Sequence, residues 1–121
     1  MNQKPLGRSG NTISAIGLGC VTFGREIDEE SSRKVMDYAL DKGITFFDTA
    51  EGYGGGQSRQ GRKDGMGVED EREVTNEVSS SERIVGDWMR DRGCRDAINL
   101  CTKVGTGASA ENIAKKLAAS L

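Results

Sequence analysis

Short apolar runs alternate along the chain with longer stretches in which apolar residues recur every three or four positions. Ile44-Thr45-Phe46-Phe47 is β-branched and aromatic, with Gly43 before it and a glycine cluster at 54–56 after it, the pattern of a short buried strand. Ala15-Ile16-Gly17-Leu18 reads as an earlier core strand, and Ala97-Ile98-Asn99-Leu100-Cys101-Thr102 as a later one. Between the first two, Val35, Met36, Ala39 and Leu40 share one helical face. Asp28 stands there as N-cap, Glu29 and Glu30 fill the first turn, and Lys42 and Gly43 close the segment. A second amphipathic helix has Ile84, Val85, Trp88 and Met89 as its buried stripe, opens on a Ser79–Glu82 capping box and closes at Arg90, Arg92 and Gly93. That stripe makes Trp88 a core residue rather than a platform for a ligand. Ser109 caps a last helix with Ile113, Leu117 and Leu121 at i, i+4, i+8 spacing.

Residues 4–16 read as two extended pieces around Gly7-Arg8-Ser9-Gly10-Asn11, whose residue types suit a tight turn, so an N-terminal β-hairpin is expected. After it the elements run β-α-β-α-β-α, about three βα units, which predicts an α/β fold with parallel strands and right-handed crossovers. Three parallel strands leave both outer edges unpaired. Such a chain is either the first part of a larger α/β barrel or finds further strands in another copy, and its edges offer a route to self-association. The stretch 57–80 holds only Met66, Val68, Val74 and Val78 as apolar anchors, too few to offset the entropy of ordering it, and is expected as a long surface loop or partly disordered lid. Gly17-Leu18-Gly19 invites a dinucleotide-fingerprint reading, but the third glycine of G-x-G-x-x-G would fall at Thr22, so a close-packed strand end is the better reading.

Composition narrows the function classes. With 121 residues, 35% hydrophobic and 30% charged, the chain can bury one core. A net charge of -2 and a pI near 5.2 provide no electrostatic footprint for nucleic acid or an anionic membrane. No apolar run approaches the roughly 20 residues of a membrane span, and Met1-Asn2-Gln3-Lys4 does not read as a signal peptide. A soluble, cytoplasmic protein is therefore expected. Cys20, Cys94 and Cys101 are odd in number and lack metal-ligand spacing, which favours reduced thiols and no metal site. The sequence contains no histidine, so any catalysis either works without one or needs more chain than these residues.

Two apolar runs stop at ionisable groups, the first at Asp48 with Tyr53 in the following loop, the second at Lys103. Parallel strands bring their C-terminal ends to the same side, where α/β proteins place ligands, so these three side chains are candidates to meet. An ammonium beside a phenol favours the phenolate and makes the phenol a better proton donor, and a carboxylate can hold that ammonium in place. Taken singly, Asp48 could equally cap a turn, Tyr53 pack as a surface aromatic and Lys103 end a strand in solvent.

Leu6-Gly7-Arg8-Ser9-Gly10, Ile16-Gly17-Leu18-Gly19, Gly43-Ile44-Thr45-Phe46-Phe47-Asp48-Thr49-Ala50 with Tyr53-Gly54, Ser81-Glu82-Arg83-Ile84-Val85-Gly86 and Thr102-Lys103-Val104 together resemble, in order, the N-terminal portion of the aldo-keto reductase superfamily. The resemblance covers nearly the whole chain apart from the insertion at 57–80. It implies that residues 1–121 form the N-terminal part of a (β/α)8 TIM barrel that reduces aldehydes and ketones with NADPH. The family uses an Asp, Tyr, Lys and His tetrad; by motif match Asp48, Tyr53 and Lys103 take the first three roles, with Tyr53 as proton donor. The loop after the first strand approaches the nicotinamide in this family, which implies Cys20 and Val21 as cofactor-binding residues with Asp48 beside them. The tetrad histidine and the loops for the adenosine phosphate are not among these residues, and such a barrel needs about 250 of them. The resemblance thus leaves two readings, an NADP(H)-dependent carbonyl reductase acting on a small-molecule substrate, or a catalytically silent fragment or binding module of the same superfamily.

Overall fold

The computed structural model describes residues 1–55, 64, 74, 75, 77–105 and 107–120. Gly7 and Gly10 adopt left-handed backbone (φ 55° and 81°) and turn the start of the chain back on itself. Strands β1 (Gln3–Pro5) and β2 (Thr12–Ser14) pair antiparallel across that turn, Gln3 opposite Ser14 and Pro5 opposite Thr12, as the turn residues predict.

Strands β3 (Gly17–Gly19), β4 (Phe46–Asp48) and β5 (Asn99–Cys101) form a parallel sheet in that order, with Leu18, Phe47 and Leu100 in register. Helix α1 (Glu29–Asp41) connects β3 to β4, helix α2 (Ser80–Arg92) and a 3-10 turn (Arg95–Ala97) precede β5, and helix α3 (Ala110–Ser120) follows it. The α/β class, the parallel strands and the element order are those expected. Most of the polar stretch 57–80 lies outside the described residues.

Each core strand begins later than its apolar run. Ala15 donates its N–H to Asn2 O (2.8 Å), and the buried Ser14 hydroxyl donates to Ile16 O (2.6 Å) while accepting from the N–H groups of Thr45 (2.9 Å) and Phe46 (3.2 Å). A side chain thus takes the backbone partners that a longer β3–β4 ladder would have used, and Ile16 is left 58% exposed. At β5 the 3-10 turn has the same effect: the N–H groups of Ala97 and Ile98 donate locally, to Cys94 O and Arg95 O, so strand pairing starts at Asn99.

One core lies between the sheet and helices α1 and α2, built from Cys20, Phe23, Met36, Ala39, Phe47, Ile84, Val85, Trp88, Met89, Cys94 and Ile98. The whole expected stripe of α2 is buried. Trp88 is a core residue, its ring stacked on Phe47 with centroids 5.5 Å apart and its Nε1 donating to Asp37 Oδ1 at 2.9 Å. On α1 the buried face is centred on Ser32, Met36 and Ala39, with Leu40 packed at its margin; Val35, expected inside, is 40% exposed. Asp28 caps α1 as expected, accepting from Ser31 N at 2.8 Å.

The expected capping box at α2 does not form. Ser79 is the N-cap residue, but it sits in the left-handed region at φ 60° and its hydroxyl donates to Glu51 O (2.6 Å) instead of closing on its own helix. Glu82 accepts from the Thr102 hydroxyl. Both partners of the box are taken by neighbouring strand ends, so long-range contacts replace the local motif. Ser109 does stand at the start of α3, accepting from Asn112 N at 3.3 Å. Ile113 and Leu117 on that helix are 41% and 51% exposed, and Leu121 lies outside the described residues. The three cysteines are free thiols. Among the described residues no helix is long and apolar enough to cross a membrane.

Candidate active site

Backbone pairing continues past the ends of the strands, and this extension builds the site. Thr49 N donates to Cys101 O (2.9 Å) and Glu51 N to Lys103 O (3.1 Å), so the segment after β4 stays in parallel register with the segment after β5. On the other side Cys20 N donates to Asp48 O at 2.9 Å. The residues after β3, β4 and β5 therefore meet at one edge of the sheet, the C-terminal one. A turn closed by Tyr53 N to Ala50 O (3.0 Å) folds Tyr53 back over that edge, and Ser81 N donates to Tyr53 O at 3.3 Å.

The first turn of α2 holds these loops with two hydroxyls. Ser80 Oγ donates to Phe23 O (3.2 Å) and accepts from Gly55 N (3.3 Å). Ser81 Oγ donates to Cys20 O (2.7 Å) and lies 2.8 Å from Thr49 Oγ1. Both serines are fully buried, and Thr49 nearly so. The loops press so closely on this turn that only glycine fits at two positions. A Cβ on Gly24 (φ 71°) would lie 2.7 Å from Ser80 Cβ, and one on Gly54 (φ 129°) would lie 2.6 Å from Ser80 N.

Within this frame Lys103, Asp48 and Tyr53 come together. Lys103 Nζ donates to Asp48 Oδ1 at 2.6 Å, to Thr49 O at 3.0 Å and to Tyr53 Oη at 3.4 Å, and lies 4.8 Å from the centre of the Tyr53 ring. Burial works against the charged form of Lys103, but its bonds to Asp48 and Tyr53 outweigh that and hold the ammonium above the ordinary lysine value. The side chains of Asp48 and Lys103 are 35% and 46% exposed, so the group opens to solvent. A cavity of about 290 Å³ adjoins it, lined among others by Glu51, Glu82, Thr102, Lys103, Lys116 and Leu117.

The two remaining expected residues differ in what they present. Val21 is half-buried on the loop after β3. Cys20 is fully buried, and burial together with the Asp48 carboxylate pushes its thiol up to about 12. Cys20 thus offers this edge its backbone and no exposed thiol. Four residues that sequence reasoning did not single out shape the site: Thr49, Glu51, Ser80 and Ser81. The two serines were hidden inside a run of three that reads as a helix cap. Small polar residues just after an acid at a strand end, and at the start of the following helix, were the available signal.

Three comparisons bear on this arrangement. The profile of the Aldo/keto reductase family matches residues 15–121. An uncharacterized oxidoreductase, YrpG, of Bacillus subtilis (strain 168) is 36% identical over 105 residues, which is 86% of this chain and 26% of that protein. A protein assigned as an aldo-keto reductase from Pseudomonas aeruginosa superposes with a TM-score of 0.70 at 29% identity, covering 98% of this chain and 40% of the other. An aldo-keto reductase from Bacillus halodurans, in its holo form, superposes at 0.59 with 31% identity over 90% of this chain and 28% of the other. The sheet and helices described above therefore correspond to part of the barrel of such proteins, and the chain spans well under half of their length.

Proposed function

The chain belongs to the aldo/keto reductase family, and on that premise we propose that it supplies the proton-donating half of an NADP(H)-dependent oxidoreductase that reduces aldehyde or ketone carbonyls. The observation that carries this reading is the convergence of Asp48 and Tyr53 on the Lys103 ammonium at the C-terminal edge of parallel strands. Tyr53 donates its phenolic proton to the carbonyl oxygen as the C–O π bond breaks. Lys103 stabilises the negative charge left on the phenol oxygen, and Asp48 keeps Lys103 in reach of it. When bound, NADPH supplies the hydride that forms the new C–H bond. The fit for such a group rests on Val21 and Asp48, which are partly exposed residues after β3 and at the end of β4, while Cys20 serves through its place in the loop. The substrate is a small carbonyl compound, and a cytoplasmic setting agrees with this reading.

The test is reduction of an aromatic aldehyde, followed by NADPH consumption, in a version that carries these residues within a full-length barrel. Tyr53→Phe is expected to lower the rate by about 10²–10⁴-fold, the usual size of a lost general acid; an unchanged rate would refute the assignment. A second reading, that these 121 residues are catalytically silent on their own, is favoured by the 26–40% of relatives' length that they span and by the absence of histidine from them. NADPH turnover by the purified 121-residue chain would overturn it.

A further inference from the structure

Lys103 stands at the head of a short connection, Lys103-Val104-Gly105, that leaves β5 toward α3. Neither Asp48 nor Tyr53 restrains that backbone, because both reach only the ammonium. Another residue restrains it at both ends. Glu51 donates its backbone N–H to Lys103 O at 3.1 Å, and its carboxylate Oε2 accepts from Gly105 N at 2.8 Å. The same carboxylate pairs through Oε1 with Lys116 Nζ on α3 at 2.5 Å, and the Glu51 carbonyl accepts from the Ser79 hydroxyl at 2.6 Å. Glu51 lies only two positions before Tyr53, at the start of the turn that folds the phenol back. Its main-chain and side-chain groups therefore join the strand end that carries Lys103, the turn that carries Tyr53, the first residue before α2 and the helix α3.

We propose that Glu51 is a positioning residue, whose carboxylate, by capturing the Gly105 N–H, fixes the distance between the Lys103 ammonium and the Tyr53 phenol. The inference rests on the functional reading above for its meaning in catalysis, but not for its geometry. Three features support it. A backbone N–H to carboxylate bond is charge-assisted and directional, unlike a surface ion pair. Lys116 fixes the carboxylate from its other oxygen, so the acceptor is preorganised. A Cβ on Gly105 would lie 3.3 Å from Glu51 Oε2, so the connection passes close to the carboxylate, which would have to give by a few tenths of an ångström to admit a side chain there. Glu51 itself touches neither the ammonium nor the phenol, and it is not offered as a catalytic residue.

The test follows the Lys103 ammonium directly, by carbon NMR titration of the protein labelled in its lysines, with the Lys103 resonance identified by its loss in Lys103→Arg. The charged groups around that ammonium are Asp48 and the titratable Tyr53, with Glu51, Glu82 and Lys116 lining the adjoining cavity. Glu51→Met removes the acceptor for Gly105 and is expected to lower the Lys103 midpoint by about half a pH unit or more, as the ammonium loses contact with the phenol. Glu51→Gln keeps an acceptor for Gly105 and loses the charge opposite Lys116; it is expected to leave the midpoint within about 0.2 of the parent value. Lys116→Met is expected to behave like Glu51→Gln. A Glu51→Met protein that is less stable but titrates Lys103 as the parent does would show Glu51 to be structural only, and would overturn the proposal. If Glu51→Met does not fold, Gly105→Pro removes the donor instead and carries the same two outcomes. The readout needs no turnover, so a lowered midpoint beside an unchanged Tyr53→Phe rate would retain the positioning role and discard the reductase reading.

Discussion

The Lys103 ammonium donates to the Asp48 carboxylate at 2.6 Å, joining the ends of two adjacent parallel strands. Because its folded-state value is raised, Lys103 contributes stability that is fully present below the unfolded lysine value, about 10.4, and that is lost as pH rises through the higher folded value. The pair is partly exposed, so solvent screening limits the contribution to about 1 kcal/mol or less. The stability gap between the parent protein and Lys103→Met should therefore stay constant from neutral pH to about pH 10 and narrow above it. Urea unfolding of both proteins across that range measures it. Asp48→Asn should reduce the gap already at neutral pH, and a gap that instead widened in alkali would contradict the sign of the shift.

The buried hydroxyl pair beneath the site makes a second prediction. Ser81 Oγ bridges Cys20 O and Thr49 Oγ1, at 2.7 and 2.8 Å, in a place without water access. Ser81→Ala leaves two buried polar groups without this partner and should cost about 1–3 kcal/mol. Thr49→Val removes one hydroxyl and keeps the Ser81–Cys20 bond, so it should cost less. In a double-mutant cycle the two changes should be non-additive by about 0.5 kcal/mol or more, because the second loss no longer strands a partner. Strict additivity in chemical denaturation would mean that the two hydroxyls do not bond to each other.

How much of this was legible in the sequence depended on whether a feature was local. The stripe of α2 was readable because Ile84, Val85, Trp88 and Met89 repeat at the period of the helix, and all four are buried. Asp28 was readable as a cap because its partner, Ser31 N, is three residues away. The strand starts were not, because the Ser14 hydroxyl, 31 residues from Thr45, takes backbone partners that no propensity rule assigns to it. The Ser79–Glu82 box failed for the same reason, its two side chains being drawn to Glu51 and Thr102 on other elements. At the site, Asp48, Tyr53 and Lys103 could be named because each breaks an apolar or glycine-rich pattern at a strand end. Glu51 sits inside one of those same loops, and nothing in its local pattern shows that its carboxylate reaches Gly105 and Lys116.

Ser79 is the only non-glycine residue with positive φ among the described residues, and two effects compete there. Its left-handed backbone costs about 1–2 kcal/mol in a residue with a Cβ. Its hydroxyl donates to Glu51 O at 2.6 Å, a bond with a net contribution of about 0.5–1.5 kcal/mol. Ser79→Gly relieves the first and loses the second, so its effect on stability should be within about 1 kcal/mol of zero. Ser79→Ala keeps the strain and loses the bond, so it should destabilise by about 0.5–1.5 kcal/mol. The order of the two variants is the decisive quantity, because it holds whichever of the two effects is larger in this protein. Thermal and urea unfolding should both place Ser79→Ala below Ser79→Gly, and the reverse order would mean that the left-handed backbone at α2 is not retained in solution.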